Sequence, residues 1–514
     1  MSATQLRDRG ASVASRTALG AVWMIAWRFF SRLLGFFSTL VMARLLLPAD
    51  FGLVAIATTL STAVEALSEI GLRDGLVRHA EDSRALTNTA FTMQALRGLL
   101  TATIIGSAAW FAADWFHDAR LVPMILILAA VSFASGLENI AIVKFQRELR
   151  FDLQFRLLLL PRLLQFGLTL GAALTWRNYW ALMLGVVVGR VARTAMTFVV
   201  VPYRPGLTLS RWRDLIGFSS WTWVSSALGV LLTRSESVIL GPMLGPAYLG
   251  VYFVAVEIGL LPSSEMIAPA ASALFAGFAV AANRGVDAIR LSPNVMGVLL
   301  VAVAPFGIAI SATAGYIVAG LLGPAWEAGR PVIAIAALTC IIYPIPYVAV
   351  MVLTATGNVN RAVYAKAGSV LIKLGLLLLL LPAAPTPKEV AIAVACAVIG
   401  ECAMFWWQLR ACGPLDWRPM FAGAARSVAA CSVAAGMFWV TGSGWQPVTS
   451  APIPAFATGV PIGAAGVAVA FGVQFLLWCA ANRPDGPESR LLALVRDLAP
   501  KLRRRVTISR ASAR

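Results

Sequence analysis

The sequence predicts an all-α integral membrane protein of about 14 transmembrane helices, arranged as two six-helix bundles that repeat one another and two further C-terminal helices. Three observations predict it. Of the 514 residues, 59% are apolar and 13% charged, whereas soluble domains average about 25% charged. Apolar runs long enough to cross a hydrocarbon core, roughly 20 residues each, recur along nearly the whole chain. The basic residues crowd into alternate connections between those runs, the pattern of a membrane protein whose positive loops stay on one side.

Taken in order, the spans fall at 17–47, 51–72, 88–113, 119–143, 153–175, 178–202, 214–240, 246–280, 291–321, 330–355, 360–382, 388–410, 421–441 and 455–481. The first is longer than a signal-peptide core and lacks a small-residue cleavage site, so it is expected to be retained. Several spans exceed a straight crossing and are expected to tilt or kink. Bends are expected at Pro161, Pro262, Pro269, Pro305, Pro344 and Pro346, each of which removes a backbone donor. Trp110, Trp115, Trp176, Trp180, Trp212, Trp406, Trp407 and Trp417 stand near span ends, where amphipathic rings settle at the interface. Trp221, Trp223, Tyr343 and Tyr347 lie deeper and suit either core packing or stacking on a sugar ring. Past Asn482, LLALVRDLAPKLRRR reads as an amphipathic helix with a basic end, suited to a lipid surface.

Orientation follows from the basic residues. Segments holding Arg7, Arg9 and Arg16, then Arg73, Arg78 and Arg84, then Lys144, Arg147 and Arg150, and onward to the arginine-rich tail, alternate with segments holding only Arg120, Arg177, Arg330 and Lys388. An even number of spans with both termini in the cytoplasm satisfies that alternation. The net charge of +18 therefore points to anionic lipid head groups and away from nucleic acid.

A turn motif occurs twice. LPADFGLVAIA from Leu47 and GPAYLGVYFVA from Gly245 share Pro-Ala, a step to Gly and an apolar helix start, 198 residues apart. The offset predicts two parallel halves, 1–206 and 207–412, then an added helix pair at 413–482 and a basic cytoplasmic tail at 483–514. A substrate cavity between the halves is the usual consequence of such a repeat.

Charges within the spans mark candidate functional residues, because an Arg or Lys at mid-bilayer costs roughly 2.5–3.5 kcal/mol and usually faces protein or a wet cavity. Arg28 and Arg32, four apart, share one face of the first helix. Arg97, Arg162, Arg234 and Lys373 join them as candidate anion-binding residues, with Arg suited to bidentate phosphate contacts. Arg44, Arg156, Arg190, Lys366 and Arg426 lie nearer span ends and are expected to reach the interface, while Arg193 suits either role. Among the acids, Glu65 and Glu69 share a face of span two, and with Glu257 they are candidates for coupling transport to protons or sodium. The competing role for Glu65 and Glu69 is neutralising Arg28, Arg32 or Arg97.

No catalytic residue or metal site is expected. The six cysteines form no CxxC pair and have no His beside them, and G-x-x-x-x-G-K-[ST], H-E-x-x-H and G-x-S-x-G are missing. His117, between Asp114 and Asp118, reads as an interface residue. The short outer loops leave little room for a membrane polymerase or ligase. A drug or cation exporter would favour acidic residues in its cavity, against the basic excess in this chain. A non-transporting scaffold in a glycan-assembly complex is the remaining alternative.

VMARLLLPADFGLVAIA (Val41–Ala57), KFQRELRF (Lys144–Phe151) and SVILGPMLGPAYLGVYFVA (Ser237–Ala255) resemble segments of the polysaccharide flippases in the multidrug/oligosaccharidyl-lipid/polysaccharide exporter superfamily. Where such flippases commonly carry Asp before the third segment, this chain has Arg234 and Glu236. The resemblance implies the MATE-like fold of that superfamily, alternating access and a polyprenyl-pyrophosphate-linked oligosaccharide as cargo. It further implies a bacterial inner membrane, membrane lipids and glycan polymerase and glycosyltransferase machinery as partners, and no cofactor beyond a coupling proton or sodium ion.

Overall fold

A computed structural model describes residues 27, 30–69, 72, 76, 83–143, 145, 151–215, 220–284, 287–380, 385–413, 415–493 and 496. Arg28 and most of the KFQRELRF string lie outside them. The architecture is all-helical, with no strand among the described residues. Among the described residues, ten helices are long and apolar enough to cross a membrane, or eleven if a pair bent by 48°, Pro324–Thr339 with Pro344–Ala355, makes one crossing. This is a multi-pass membrane protein. Large apolar side chains such as Phe111, Leu379 and Trp439 stand exposed on its helices, as bilayer solvation permits.

The chain divides into two compact units, Met1–Val251 and Tyr252–Arg514. The first unit holds α1 (30–45), α2 (Pro48–Leu67), α3 (Arg84–Phe116), α4 (Leu121–Gly136), α5 (Phe151–Trp176) and α6 (Tyr179–Val200), followed by most of α7 (Ser220–Gly259). Helices α3 and α4 pack along each other, as do α5 and α6, and α4 also lies against α2 and α6. Close packing of α3 on α4 rests on Gly98 and Gly136, since a Cβ at either would come within 2.7 Å of the other's α-carbon. Small residues allow such approach where apolar burial alone does not drive helix association in lipid.

Helix α7 is one run broken at Gly245, whose φ of 76° and ψ of 168° are non-helical and open chiefly to glycine. The break sets the two copies of the turn motif against each other. A Cβ on Gly52 would overlap the carbonyl oxygen of Pro246, and a Cβ on Gly250 would overlap that of Pro48. The same two positions of each copy thus interlock backbone against backbone, in a reciprocal crossing of the starts of α2 and of the second arm of α7. Asp50 braces the first copy: its carboxylate accepts from the backbone N–H of Leu47 at 3.0 Å and of Tyr179 at 3.1 Å. The second copy has Tyr248 at that place and relies on Gly245 to turn.

In the second unit lie α8 (Leu261–Asn283), α9 (Ala288–Ala312), α10 (Arg330–Thr339), α11 (Pro344–Ala355), α12 (Val359–Leu380), α13 (Pro387–Arg410), α14 (Arg418–Val440) and α15 (Pro452–Ala480). The expected ninth span breaks after Ala312, and a π-helical turn, Val318–Leu322, follows. Helix α9 is central, packing on α8, α10, α11, α14 and α15. Met296, Val348, Val352, Leu353, Phe405 and Leu409 make the core where α9, α11 and α13 meet. Trp417, expected at the interface, belongs to this core instead, stacked on Trp406 with ring centroids 4.0 Å apart.

The tail also departs from expectation where it begins. Gly486, Pro487 and Glu488 are buried, and the Pro487 ring fills the space left by Gly297 on α9 and Gly423 on α14. Arg426 of α14 donates to both Glu488 carboxylate oxygens, at 2.7 and 2.8 Å. Arg426 therefore anchors the chain end, where the sequence placed it at a lipid interface. Residues 497–514 lie outside the described set.

Candidate functional site: a charged face in the first unit

Helix α2 carries Thr59, Ser61 and Glu65, and Glu69 follows its last turn. Positions 61 and 65 are four apart and share one face of α2. Glu65 is held from three sides: Arg190 of α6 forms an ion pair with it, Ser132 of α4 donates to it, and Ser61 donates at 3.3 Å. One turn further, Glu69 pairs with Arg97 of α3. Thr101, one turn along α3 from Arg97, donates to Ser68 at 3.0 Å. Arg193, one turn along α6 from Arg190, pairs with the buried Glu138 at 3.3 Å. Gln94 of α3 donates to the carbonyls of Gly136 and Glu138 at 3.2 and 3.0 Å, tying the end of α4 into the same cluster.

These pairs have a common logic. Each guanidinium taken from water needs a carboxylate and further hydrogen bonds to offset its desolvation, and four helices supply them. The side chains stay partly exposed, 25% and 30% for Arg190 and Glu65 and 24% and 57% for Arg97 and Glu69, so the cluster lines a surface of the unit and is not sealed within it. Glu65 and Glu69, weighed as coupling residues, are thus paired with arginine. For Glu69 the partner is the expected Arg97. For Glu65 it is Arg190, which the sequence placed at an interface.

The other candidates separate. Arg32 is exposed on α1. One turn along, Gly35 leaves room for the Arg162 guanidinium, which a Cβ there would approach to 2.9 Å, and Arg162 also donates to Gln165 at 3.0 Å. Arg32 and Arg162 therefore belong to one α1–α5 surface. Arg234 of α7 faces α2, its guanidinium 3.5 Å from the Thr59 hydroxyl. Trp223 on the same helix donates to the carbonyl of Leu67 at 2.7 Å. In the second unit Glu257 is exposed and Lys373 is only 5% exposed. Arg28 is outside the described residues. No group of three or more His, Cys, Asp or Glu side chains among the described residues is placed to hold a metal ion.

At the end of the first unit away from the basic connections, Asp118 accepts hydrogen bonds from the Arg120 guanidinium at 2.7, 2.9 and 3.2 Å and from its backbone N–H at 3.0 Å. Those bonds hold its carboxyl below the usual carboxylate range, against the opposing effect of burial. The Arg120 guanidinium lies 6.0 Å from the Tyr179 ring centroid, next to the Asp50 brace.

Comparison with known proteins follows the same lines. The chain is 24% identical over 274 residues to the lipopolysaccharide biosynthesis protein WzxC of Escherichia coli K12, covering 52% of this chain and 55% of that protein. It is 24% identical over 335 residues to the succinoglycan biosynthesis transport protein ExoT of Rhizobium meliloti, covering 61% and 65%. The chain thus spans about half to two thirds of the length of the curated relatives it matches. Its fold is that of the lipid II flippase MurJ in an inward closed conformation, with a TM-score of 0.69 at 13% identity over 90% of this chain and 100% of that one. An inward-facing multidrug resistance MATE transporter of the MOP superfamily aligns with a TM-score of 0.57 at 12% identity, covering 72% and 93%. Residues 41–331, more than half of the sequence, match the polysaccharide biosynthesis protein family, and the chain belongs to that family.

Proposed function

We propose that this protein is a flippase that moves a polyprenyl-pyrophosphate-linked oligosaccharide from the cytoplasmic to the outer face of a bacterial inner membrane, for exopolysaccharide, capsule or O-antigen synthesis. The observation that carries the reading is the arginine-rich lining of the first unit, on a fold and in a family shared with exporters of glycans. Arg32, Arg162 and Arg234 project from α1, α5 and α7 at depths where a cation is costly unless it faces water or an anion. A pyrophosphate supplies that anion, and guanidinium groups bind its oxygens in bidentate fashion. The lipid tail stays in the bilayer, so the protein needs to shelter only the head group.

Fourteen crossings, both termini in the cytoplasm and halves at 1–206 and 207–412, with an added pair at 413–482 and a basic tail at 483–514, complete the reading. The interlocked turn motifs support alternating access, since a glycine-lined crossing of two matching turns is a seam that can close and part as a unit. Glycosyltransferases and a glycan polymerase are the expected neighbours in the pathway, and the chain itself is read as a transporter and not as an enzyme.

Purified protein in liposomes is expected to translocate a labelled polyprenyl-pyrophosphate oligosaccharide. The combined Arg32→Ala and Arg234→Ala variant is expected to lose at least about ten-fold in rate, the worth of roughly 1.4 kcal/mol, with its melting temperature kept. A variant with unchanged transport would remove these residues from the cargo path. A protein with no translocation of any such lipid would remove the function.

A further inference from the structure

We propose that the connection between α6 and α7, residues 201–213, is a docking site for anionic phospholipid, with Leu207 and Leu209 entering the acyl boundary and Arg204 and Arg213 meeting lipid phosphates. Pro202, Pro205 and Gly206 end α6 and keep the segment extended, and residues 202–209 are neither helix nor strand. Polar partners fix its course. The buried Asn139 donates to the carbonyls of Val201 and Tyr203 at 3.4 and 3.1 Å. Side chains of α3 then take over. Asn88 accepts from the Tyr203 hydroxyl at 2.6 Å and from the Gly206 N–H at 2.9 Å, and Thr92, one turn deeper, accepts from the Thr208 N–H at 2.9 Å. From there the chain turns back: the Arg211 N–H meets the Thr89 hydroxyl at 3.4 Å, and the buried Leu215 packs in one core with Leu86, Ala90 and Phe91.

The segment is therefore a dip along the first turns of α3, and its polarity follows its depth. The Tyr203 hydroxyl also reaches the Arg84 carbonyl at 3.4 Å, and from Arg84 to Thr92 the helix rises about 12 Å. The deepest point, beside Thr92, is flanked by Leu207 and Leu209. These share one side of an extended backbone and are 78% and 45% exposed. The shallower legs carry Arg204 on one and Arg211, Trp212 and Arg213 on the other. Arg204, Trp212 and Arg213 are exposed, and the Arg213 guanidinium lies 5.4 Å from the Trp212 ring centroid. Helix α3 has 33 residues, about 50 Å of length against a hydrocarbon core of about 30 Å, which leaves its first turns, beginning at Arg84, at head-group level. An apolar tip between basic shoulders at that level matches the layering of a lipid leaflet, with an indole at the boundary. Residues 201–213 hold three arginines and no acid, Asp214 being the first acid after them. That balance favours anionic over zwitterionic head groups. A soluble protein is the poorer occupant, since it would have to reach the leucines past their own arginine-bearing legs.

Lipid docking does not rest on the flippase reading and can be measured without cargo. The full chain in liposomes containing a photoreactive phosphatidylglycerol, with its diazirine near the glycerol end of the acyl chain, is expected to be labelled within residues 201–213. Labelling is expected to be at least about five-fold stronger than with the matching phosphatidylcholine, and the combined Arg204→Gln and Arg213→Gln variant is expected to bring the two lipids to parity with its melting temperature kept. A nitroxide attached to the Leu207→Cys variant, in a background freed of native cysteines, is expected to be relaxed more by oxygen than by a water-soluble nickel chelate in anionic vesicles. Absence of label within 201–213, equal labelling of the wild type by the two lipids, or a preference unmoved by the arginine substitutions would overturn the proposal. So would a nitroxide relaxed chiefly by the water-soluble chelate.

Discussion

A single ion pair shows how much one residue holds here. Arg426 and Glu488 are 15% and 6% exposed, and removing one partner leaves the other charged in an apolar site. Glu488→Ala is expected to cost about 3–5 kcal/mol, seen as a lower unfolding temperature in detergent. Adding Arg426→Leu should recover most of that loss, because a buried pair replaced by packed apolar groups is often near neutral. Asp118 offers a second test at this scale. Its carboxyl is held low by Arg120, so its stabilising contribution is complete above the ordinary carboxylate range and fades as pH falls through the lowered value. Asp118→Asn is therefore expected to lower the melting temperature near neutrality, with the loss shrinking as pH falls, so that the acid limb of a plot of melting temperature against pH flattens.

Between elements, glycine decides where helices meet. Gly52 and Gly250 admit the carbonyls of Pro246 and Pro48, and even one added carbon forces the crossing apart. Gly52→Ala is expected to destabilise the protein by about 1–3 kcal/mol, the usual cost of overpacking. A cysteine at Leu249, which is 1% exposed in the wild type, should then react faster with a membrane-impermeant thiol reagent, measured in a background freed of native cysteines. Unchanged labelling would mean that the seam tolerates the methyl group and is looser than its geometry. Both turn copies were visible in the sequence as Pro and Gly at equal spacing, but nothing in either copy says that they touch each other.

Across the whole molecule, the basic connections set a testable topology. Reporter fusions after Arg150, Arg290 and Arg410 should read as cytoplasmic, and fusions after Arg120, Arg330 and Lys388 as external, if orientation follows the positive-inside rule. The compact units divide at Val251 and Tyr252, beyond the expected end of the first half at residue 206. The interlocked turns account for the difference, because they hold the turn that opens the second repeat within the first unit.

Composition, apolar length and the placement of Arg and Lys determined the helical membrane architecture, since in lipid a backbone must satisfy its own hydrogen bonds within helices or closed barrels. The same local signals marked the breaks near Pro48 and Gly245 and singled out the charges within spans. Only the tertiary structure decided which charge meets which. Glu65 and Arg190 are 125 residues apart, and Arg426 and Glu488 are 62 apart. Pairing across such distances depends on helix rotation and register, which are set by side-chain packing between neighbours that no stretch of sequence contains.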